Sequence, residues 1–396
     1  MTKRQLYILL LCTLLPWTVG NGLAPLLPVY ATQIGATPDL VGYFLSITYV
    51  GLAAGTIIAG WLSDKFERRK ATMLVSTVIM IPLTWMLGRT NSVAVLTGLS
   101  TSIWFLGGIN LTTINIITGL FAEESQRGRI FGIVGLMGPA GAILGGFTMG
   151  PIADRLGYSA LFEMVSIFLI LGPIGAVLLK DKIIVQAEQI DSGVNTFSSG
   201  LTRGFFFLIF ASLLVATTMY LGLLGRSLAM HTIGLSAAAI SSTAAIGAMF
   251  TIPLPPLIGW LSDRTGRKRF LAICYLVGTF GMFILSVSAA VWHFWIATAF
   301  MSVMFYISMS LGSAFVTDLI PRSYLGKGLS IFNSTTWLGG IIGFALAGYT
   351  IENYGLLPTF IVGAVMPIFS IVLLTPLYKL AQIKDQGKMK ITGFSK

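Results

Sequence analysis

The chain has 396 residues, of which 55% are hydrophobic and 10% are charged, and its formal net charge is +11. A soluble domain carries about 25% charged residues, so this composition excludes a soluble globular protein and indicates one that lies in a membrane. A positive charge on such a chain is expected to set its membrane topology rather than to bind nucleic acid. Cys12 and Cys274 both fall inside apolar runs and indicate neither a disulfide framework nor a metal site.

Apolar stretches recur along the chain, separated by charged or turn-rich breaks. Because a helix needs about 20 apolar residues to cross the hydrocarbon core, these stretches predict an all-α integral membrane protein with twelve transmembrane helices. We number them spans 1 to 12, at 5–31, 39–63, 71–88, 93–121, 129–151, 159–179, 204–230, 236–261, 270–288, 292–319, 328–350 and 357–378. The first resembles a signal peptide, but its apolar character continues without a cleavage pattern, so we expect a retained helix.

The longest polar connector separates the first six spans from the last six. It predicts an N-terminal six-helix half at 1–180, a cytoplasmic linker at 181–203 and a C-terminal six-helix half at 204–378. A basic cytoplasmic tail follows at 379–396. For the tail, association with the anionic inner leaflet and a solvated, disordered end are both open alternatives.

Lys and Arg residues are distributed unevenly over the two predicted membrane sides. With the N-terminus inside, almost all of them fall on the inner side, and only Arg89, Arg155 and Arg226 fall on the outer side. The positive-inside rule therefore predicts a multi-pass protein of the cell membrane (the inner membrane, where there are two) with both termini in the cytoplasm.

An internal repeat relates the two halves. The pentapeptide from Gly60 to Asp64 recurs identically from Gly259 to Asp263, 199 residues later, and a basic cluster follows each copy. The same register, within one residue, pairs further positions: Gly35 with Gly234, Gly150 with Gly348, Asp154 with Glu352, and Gly157 with Gly355.

At these residues the chain resembles the major facilitator superfamily, whose signature between spans 2 and 3 is G-x-L-[AS]-D-x-x-G-R-[KR]. The second copy fits it completely, whereas the first has Glu67 in place of the second glycine. The resemblance implies two pseudo-symmetric six-helix halves and a latch, formed by the signature on a helix of the other half, that favours the outward-open state. The candidate gating residues are Gly60, Asp64, Arg68, Arg69, Gly259, Asp263, Gly266, Arg267 and Lys268.

Elementary chemistry gives the signature a physical basis. Gly60 has no side chain, so a neighbouring helix is expected to approach its backbone closely. Asp64 is expected to accept hydrogen bonds from the N-terminal amides of an opposing helix, where the helix dipole favours an anion. A purely topological role for the adjoining cations is the alternative.

Span 5 is rich in glycine and contains one central proline. Its sequence Gly138-Pro139 followed by Gly145-Gly146 loosely resembles the Gly-Pro signature that exporter branches of the family carry in this span. The resemblance implies a seal at the centre of the molecule. Generic close packing of helices is the alternative.

The resemblance also implies that spans 1, 4, 7 and 10 line a central cavity. These spans supply neutral hydrogen-bonding groups in an apolar and aromatic setting, which suits an amphiphilic or lipophilic molecule better than a polyanion. The candidate cavity residues are Asn21, Trp104, Asn110, Asn115, Tyr220 and Tyr306. For each of them, a role in helix packing is the alternative.

Ionisable residues at membrane depth are few: Glu163 in span 6, Arg226 in span 7 and Asp318 in span 10. Such groups are functional candidates by default. Glu163 and Arg226 either pair with each other across the halves as an outer gate, or each of them extends to the membrane interface or pairs locally. The acid in span 1 and the Arg in span 4 that related proton antiporters carry are missing, which leaves Glu163 and Asp318 as the candidate proton carriers.

These features together predict a secondary transporter that works by alternating access and exports small lipophilic or amphiphilic compounds, with or without exchange for protons. Its expected partners are a small-molecule substrate and membrane lipids, without nucleic acid, cofactor or metal, and it is expected to be a monomer. An uncoupled facilitator or lipid flippase of the same fold is the first alternative, and a non-transporting membrane receptor is the second. No catalytic residue is predicted, because the sequence shows no nucleophile–base pair and no phosphate-binding loop.

Overall fold

A computed structural model describes residues 2–66, 68–121, 127–179, 202–254, 267–321 and 324–392. These residues form helices and contain no strand, which confirms the all-α fold. The helices are α1 (Lys3–Leu23), α2 (Leu27–Gln33), α3 (Pro38–Phe66), α4 (Arg69–Leu87), α5 (Val93–Phe121), α6 (Arg127–Gly135), α7 (Met137–Leu169), α8 (Leu171–Leu178), α9 (Arg203–Thr232), α10 (Ala237–Thr251), α11 (Arg267–Ser286), α12 (Val291–Leu319), α13 (Leu325–Tyr354) and α14 (Leu356–Thr392).

Ten helical stretches of the described residues are long and apolar enough to cross a membrane. One of them, Arg129–Leu178, holds both span 5 and span 6, and the shorter α10 is the described part of span 8. Spans 1 to 12 can therefore all be located. Helix α14 continues past span 12 through most of the predicted tail, as far as Thr392.

Four glycines turn the chain at one side of the bundle, after spans 1, 5, 7 and 11. Gly35 and Gly234 have φ values of 94° and 78°, and Gly157 and Gly355 have φ values of 81° and 87°. Side chains other than that of glycine rarely tolerate this backbone region. These are two of the pairs that the internal repeat matches, so both halves turn in the same way. We call this side, which is predicted to face outward, the Gly-turn side.

Buried apolar side chains form three clusters. One cluster contains residues of both halves and lies towards the Gly-turn side; its largest members include Phe44, Phe162, Phe294 and Phe344. A second cluster, which includes Phe205 and Phe332, belongs to the C-terminal half alone, and a third, which includes Leu9, belongs to the N-terminal half alone. The halves therefore share a core on the Gly-turn side and have separate cores towards the opposite side.

Large apolar side chains also cover the outside of the bundle. Ile57 is 74% exposed, Ile167 is 66% exposed and Phe283 is 59% exposed. A soluble protein rarely exposes extended apolar patches, whereas the hydrocarbon of a bilayer is as apolar as these side chains. This surface is suited to contact with lipid.

Candidate functional site

A cavity of about 210 Å3 lies between the two halves at the middle of the bundle. Spans 1 to 4 and spans 7, 10 and 11 contribute to its wall. Its aromatic lining consists of Trp17, Tyr49, Trp104, Tyr220, Phe305, Tyr306 and Trp337. The lining residues that the structure describes include no Asp, Glu, Lys, Arg or His. The wall is therefore apolar and aromatic, with a few neutral hydrogen-bonding groups.

The cavity brings together some of the candidate residues and leaves others outside. Four of the six line it: Asn21, Trp104, Tyr220 and Tyr306. Asn110 is buried, and its side-chain oxygen has no hydrogen-bond partner among the described residues. Asn115 is exposed. Neither of these two lines the cavity in this structure.

Tyr49 of span 2 was not among the candidates, although it lies at the centre of the interface. Its ring centroid is 5.0 Å from those of Tyr220 and Phe344 and 6.5 Å from that of Trp337, all in the other half. Tyr49 lies seven residues after Gly42, so both residues occupy one face of the helix. That spacing is the signal in the sequence that could have identified it.

The glycines of span 5 separate onto two faces. A Cβ on Gly141 would lie 2.6 Å from the backbone nitrogen of Thr18, so this face packs against span 1. A Cβ on Gly146 would lie 2.7 Å from the backbone nitrogen of Ala245, and one on Gly150 would lie 2.6 Å from Cα of Ala238. This second face packs against span 8, in the other half of the molecule.

The exporter-like motif of span 5 takes part in both contacts. Gly145 faces span 1, where its Cβ would lie 2.9 Å from Cα of Gly22, while Gly146 faces span 8. The carbonyl of Gly138, which precedes Pro139, accepts a hydrogen bond of 3.4 Å from Nδ2 of the cavity residue Asn21. The motif thus joins the cavity wall to the interface between the halves.

Spans 2 and 11 form a second seam between the halves. A Cβ on Gly42 would lie 2.7 Å from Cα of Gly348, and the reverse distance is also 2.7 Å. One turn further along, Oγ of Ser46 donates a hydrogen bond of 2.8 Å to the carbonyl of Ile341. In the repeat, Gly348 corresponds to Gly150, so the two seams are related by the internal symmetry.

Asp154 closes the seam between spans 5 and 8 at the Gly-turn side. Its Oδ1 accepts a hydrogen bond from the backbone N–H of Ala237, and its Oδ2 accepts one from that of Ala238, each 2.8 Å long. These two amides belong to the first turn of α10, where unpaired N–H groups and the helix dipole favour an anion. We call this contact the Asp154 clasp. Glu352, the matching residue of the other half, is exposed.

The signature residues lie at the side opposite the Gly-turn side. The close helix approach predicted at Gly60 is not found: a Cβ there would have no heavy atom of the described residues within 4 Å. The physical reason is that the seams between the halves run along the Gly-turn side, away from this position. Arg68 is exposed, and Nε of Arg69 donates a hydrogen bond of 2.8 Å to Oγ of Ser63.

The latch itself falls largely outside the described residues. Asp64 belongs to α3, but its side chain is not among those described; Arg267 and Lys268 begin α11, and the same holds for their side chains. Gly259, Asp263 and Gly266 lie outside the described residues altogether.

None of the three ionisable candidates is among the described residues that line the cavity. Glu163 forms an ion pair with Arg89, on a surface of the N-terminal half where both side chains are about two-fifths exposed (43% and 40%). Nη1 of Arg226 donates a hydrogen bond of 2.7 Å to Oγ1 of Thr298. Asp318 is exposed near the end of span 10. Of the two alternatives for Glu163 and Arg226, this structure shows local pairing rather than an ion pair across the halves.

Comparison with known proteins identifies the family. The sequence profile of the Major Facilitator Superfamily matches residues 6–226 and 193–390. The chain therefore belongs to this superfamily of membrane transporters.

Among its relatives, multidrug resistance protein MdtG of Serratia proteamaculans is 21% identical over 93% of this chain and 92% of its own length. Multidrug resistance protein 2 of Bacillus subtilis is 22% identical over 87% of this chain and 88% of its own length. The nucleoside transporter NupG has a TM-score of 0.75 at 15% identity, with 94% of this chain and 97% of NupG covered. The POT family transporter PepTSo has a TM-score of 0.78 at 11% identity, with 97% and 99% covered. At these identities the two structures show that the fold is shared.

Proposed function

We propose that this transporter exports small lipophilic or amphiphilic compounds by alternating access. The observation that carries the proposal is the aromatic cavity at the interface of two halves that are packed together along the Gly-turn side. Such a wall holds apolar molecules of varied shape and fixes them with few polar contacts. The relatives named as multidrug resistance proteins support the same substrate class.

The two seams and the Asp154 clasp act as the gate on the Gly-turn side. For a substrate to leave on this side, span 5 must separate from span 8 and span 2 from span 11. Because small residues form both seams, the helices can part without extensive rearrangement of side chains. In the state that is open on the Gly-turn side, the signature residues, including Asp64 and Asp263, hold the two halves together on the opposite side. A Cβ on Gly60 would have no heavy atom of the described residues within 4 Å, which fits a latch that is released while the Gly-turn side is closed.

The Gly-turn side faces out of the cell, and both termini lie in the cytoplasm. The uneven distribution of Lys and Arg supports this orientation. In this structure the gate to the outside is therefore closed, and the cavity belongs to the state that loads substrate from the inside.

The uncoupled transporter is the second candidate, and one observation favours it. Proton carriers in transporters are ionisable groups that line the transport path, yet neither Glu163 nor Asp318 lines the cavity. If Glu163 or Asp318 exchanges protons, that carboxyl group acts from outside the cavity wall.

Uptake of a neutral lipophilic dye into inverted membrane vesicles tests both export and its coupling to protons. We expect faster uptake with the protein than without it, and a loss of uptake for Tyr220→Ala, which removes a cavity side chain that is 8% exposed. Tyr354→Ala, at a side chain that is 64% exposed, is the matched control and should transport normally. Equal uptake with and without the protein contradicts export. Collapse of the proton gradient then separates the mechanisms, because only a proton-coupled exporter accumulates dye above equilibrium and loses that accumulation, whereas an uncoupled transporter only speeds equilibration.

A further inference from the structure

The feature that the proposed function leaves unexplained is a buried cation. Arg226 of α9 is 3% exposed. Its Nη1 is bonded to the neutral hydroxyl of Thr298, and its Nε has no hydrogen-bond partner among the described residues. A guanidinium group in an apolar interior is costly unless an anion compensates it, so such residues in membrane proteins mark functional sites.

Arg226 lies directly beside the cavity on the Gly-turn side. Met219 and Leu223 line the cavity. Arg226 lies seven residues after Met219 and three residues after Leu223, so all three residues share one helix face. Its Cα is therefore about 4.5 Å beyond that of Leu223 along the helix axis. Thr298, its partner, precedes the lining residue Phe305 by seven residues in α12, which places it at a similar height.

The charge of Arg226 is not balanced by the cavity wall. The described lining contains no carboxylate, and its polar side chains are neutral, among them those of Asn21, Tyr220 and Tyr306. Water would screen a cation at this distance, but an apolar surrounding screens it far less. The end of the cavity nearest the Gly-turn side consequently has a positive potential.

We propose that the substrates are amphiphilic organic anions, bound with the apolar body among the aromatic side chains and the anionic head directed towards Arg226. This deepens the proposed function, on which it rests, by assigning a charge class to the substrate. The same chemistry covers a soluble organic anion and the head of an anionic lipid. Arg226 acts as a specificity-determining residue, and lipophilic cations are disfavoured.

Two ions of equal shape and opposite charge test this inference. Tetraphenylborate and tetraphenylphosphonium present the same apolar surface, so their affinities for the purified protein in neutral detergent differ mainly by electrostatics. We expect the anion to bind about tenfold more tightly than the cation. Arg226→Gln should bring the ratio of affinities close to one, and Arg226→Lys should keep most of it. Tyr306→Ala, in the cavity wall, should weaken both ions without changing the ratio.

A measurement on the wild-type protein is sufficient to overturn the inference: equal affinities for the two ions, or tighter binding of the cation, would do so. This part of the test therefore does not depend on the folding of any variant. An unchanged ratio in Arg226→Gln would overturn the role of Arg226. Transport measurements distinguish a failure of the proposed function: absent uptake of both the neutral dye and tetraphenylborate into inverted vesicles refutes export, whereas the ratio of affinities does not depend on transport. Competition with phosphatidylglycerol separates the two sources of the anion. Displacement of tetraphenylborate by this lipid, but not by phosphatidylcholine, identifies the head of an anionic lipid. No displacement by either lipid identifies a soluble organic anion.

Discussion

The Asp154 clasp can be tested through a single atom exchange. Asp154→Asn removes the negative charge from the first turn of α10 and leaves one carbonyl oxygen for the two N–H groups. An anion at such an exposed helix terminus is worth about 1 kcal/mol, which corresponds to a roughly fivefold shift towards the state that is open on the Gly-turn side. The reactivity of Ser241→Cys with an impermeant maleimide measures this opening, because Ser241 is fully buried under the clasp and bonded to the carbonyl of Gly146.

The matching residue of the other half supplies the control for this prediction. Glu352 corresponds to Asp154 in the repeat, but it is exposed. Glu352→Gln should leave the labelling of Ser241→Cys unchanged. Equal increases for both variants would show that surface charge in general, and not the clasp, sets the reactivity.

Glu163 gives a residue-scale test of proton coupling. Its ion pair with Arg89 is partly exposed, and pairs of this kind contribute about 0–1 kcal/mol. We therefore expect Glu163→Gln to transport dye at nearly the wild-type rate and to melt within about 2 °C of the wild type. A variant that binds dye normally but no longer responds to a proton gradient would instead make Glu163 the carrier.

At the scale of helices, the seam between spans 5 and 8 depends on the absence of a Cβ atom. Gly150→Ala would place a methyl group 2.6 Å from Cα of Ala238, in the backbone of the opposing helix, which cannot yield. Overpacking of this kind destabilises by roughly 1–3 kcal/mol, so we expect a lower melting temperature in detergent and slower transport.

A glycine in open surroundings is the control for that substitution. A Cβ on Gly98 of span 4 would have no heavy atom of the described residues within 4 Å. Gly98→Ala should therefore melt at or above the wild-type temperature, since alanine favours a helix over glycine by about 1 kcal/mol. A similar loss of stability in both variants would show that the destabilisation does not come from overpacking of the seam.

The helices also show what the sequence could and could not predict. The apolar runs located the spans because each must be long enough to cross the membrane, and the repeat alone was sufficient to match Gly150 with Gly348. The partners of these glycines were not predictable in the same way. Gly145 and Gly146 are adjacent in sequence but face different helices, and a pattern within one helix does not name its neighbour.

For the whole molecule, the side from which the cavity is reached is the decisive prediction. In a variant without Cys12 and Cys274, both of which are buried, Thr336→Cys places a thiol in the cavity wall. An impermeant maleimide should label it in inverted vesicles and label it weakly in right-side-out vesicles. The reason is that the two halves share a core on the Gly-turn side and have separate cores on the other.

Tyr354→Cys, at the Gly-turn side, should show the opposite pattern and thereby fix the orientation. Labelling of Thr336→Cys mainly in right-side-out vesicles, with Tyr354→Cys as expected, would contradict the closed gate. The sequence predicted which side faces out from the Lys and Arg distribution. It could not predict which gate is closed, because the same seams must both form and separate during transport.

The division of the core has a consequence for biogenesis. The cluster around Leu9 is complete within the first six spans, and the cluster around Phe205 is complete within the last six. Each half can therefore consolidate on its own in the bilayer, whereas the cluster that joins Phe44 with Phe344 forms only when the two halves dock. Two separately expressed halves should consequently insert on their own and reassemble into a working transporter, with docking directed by the glycines that also serve its gate.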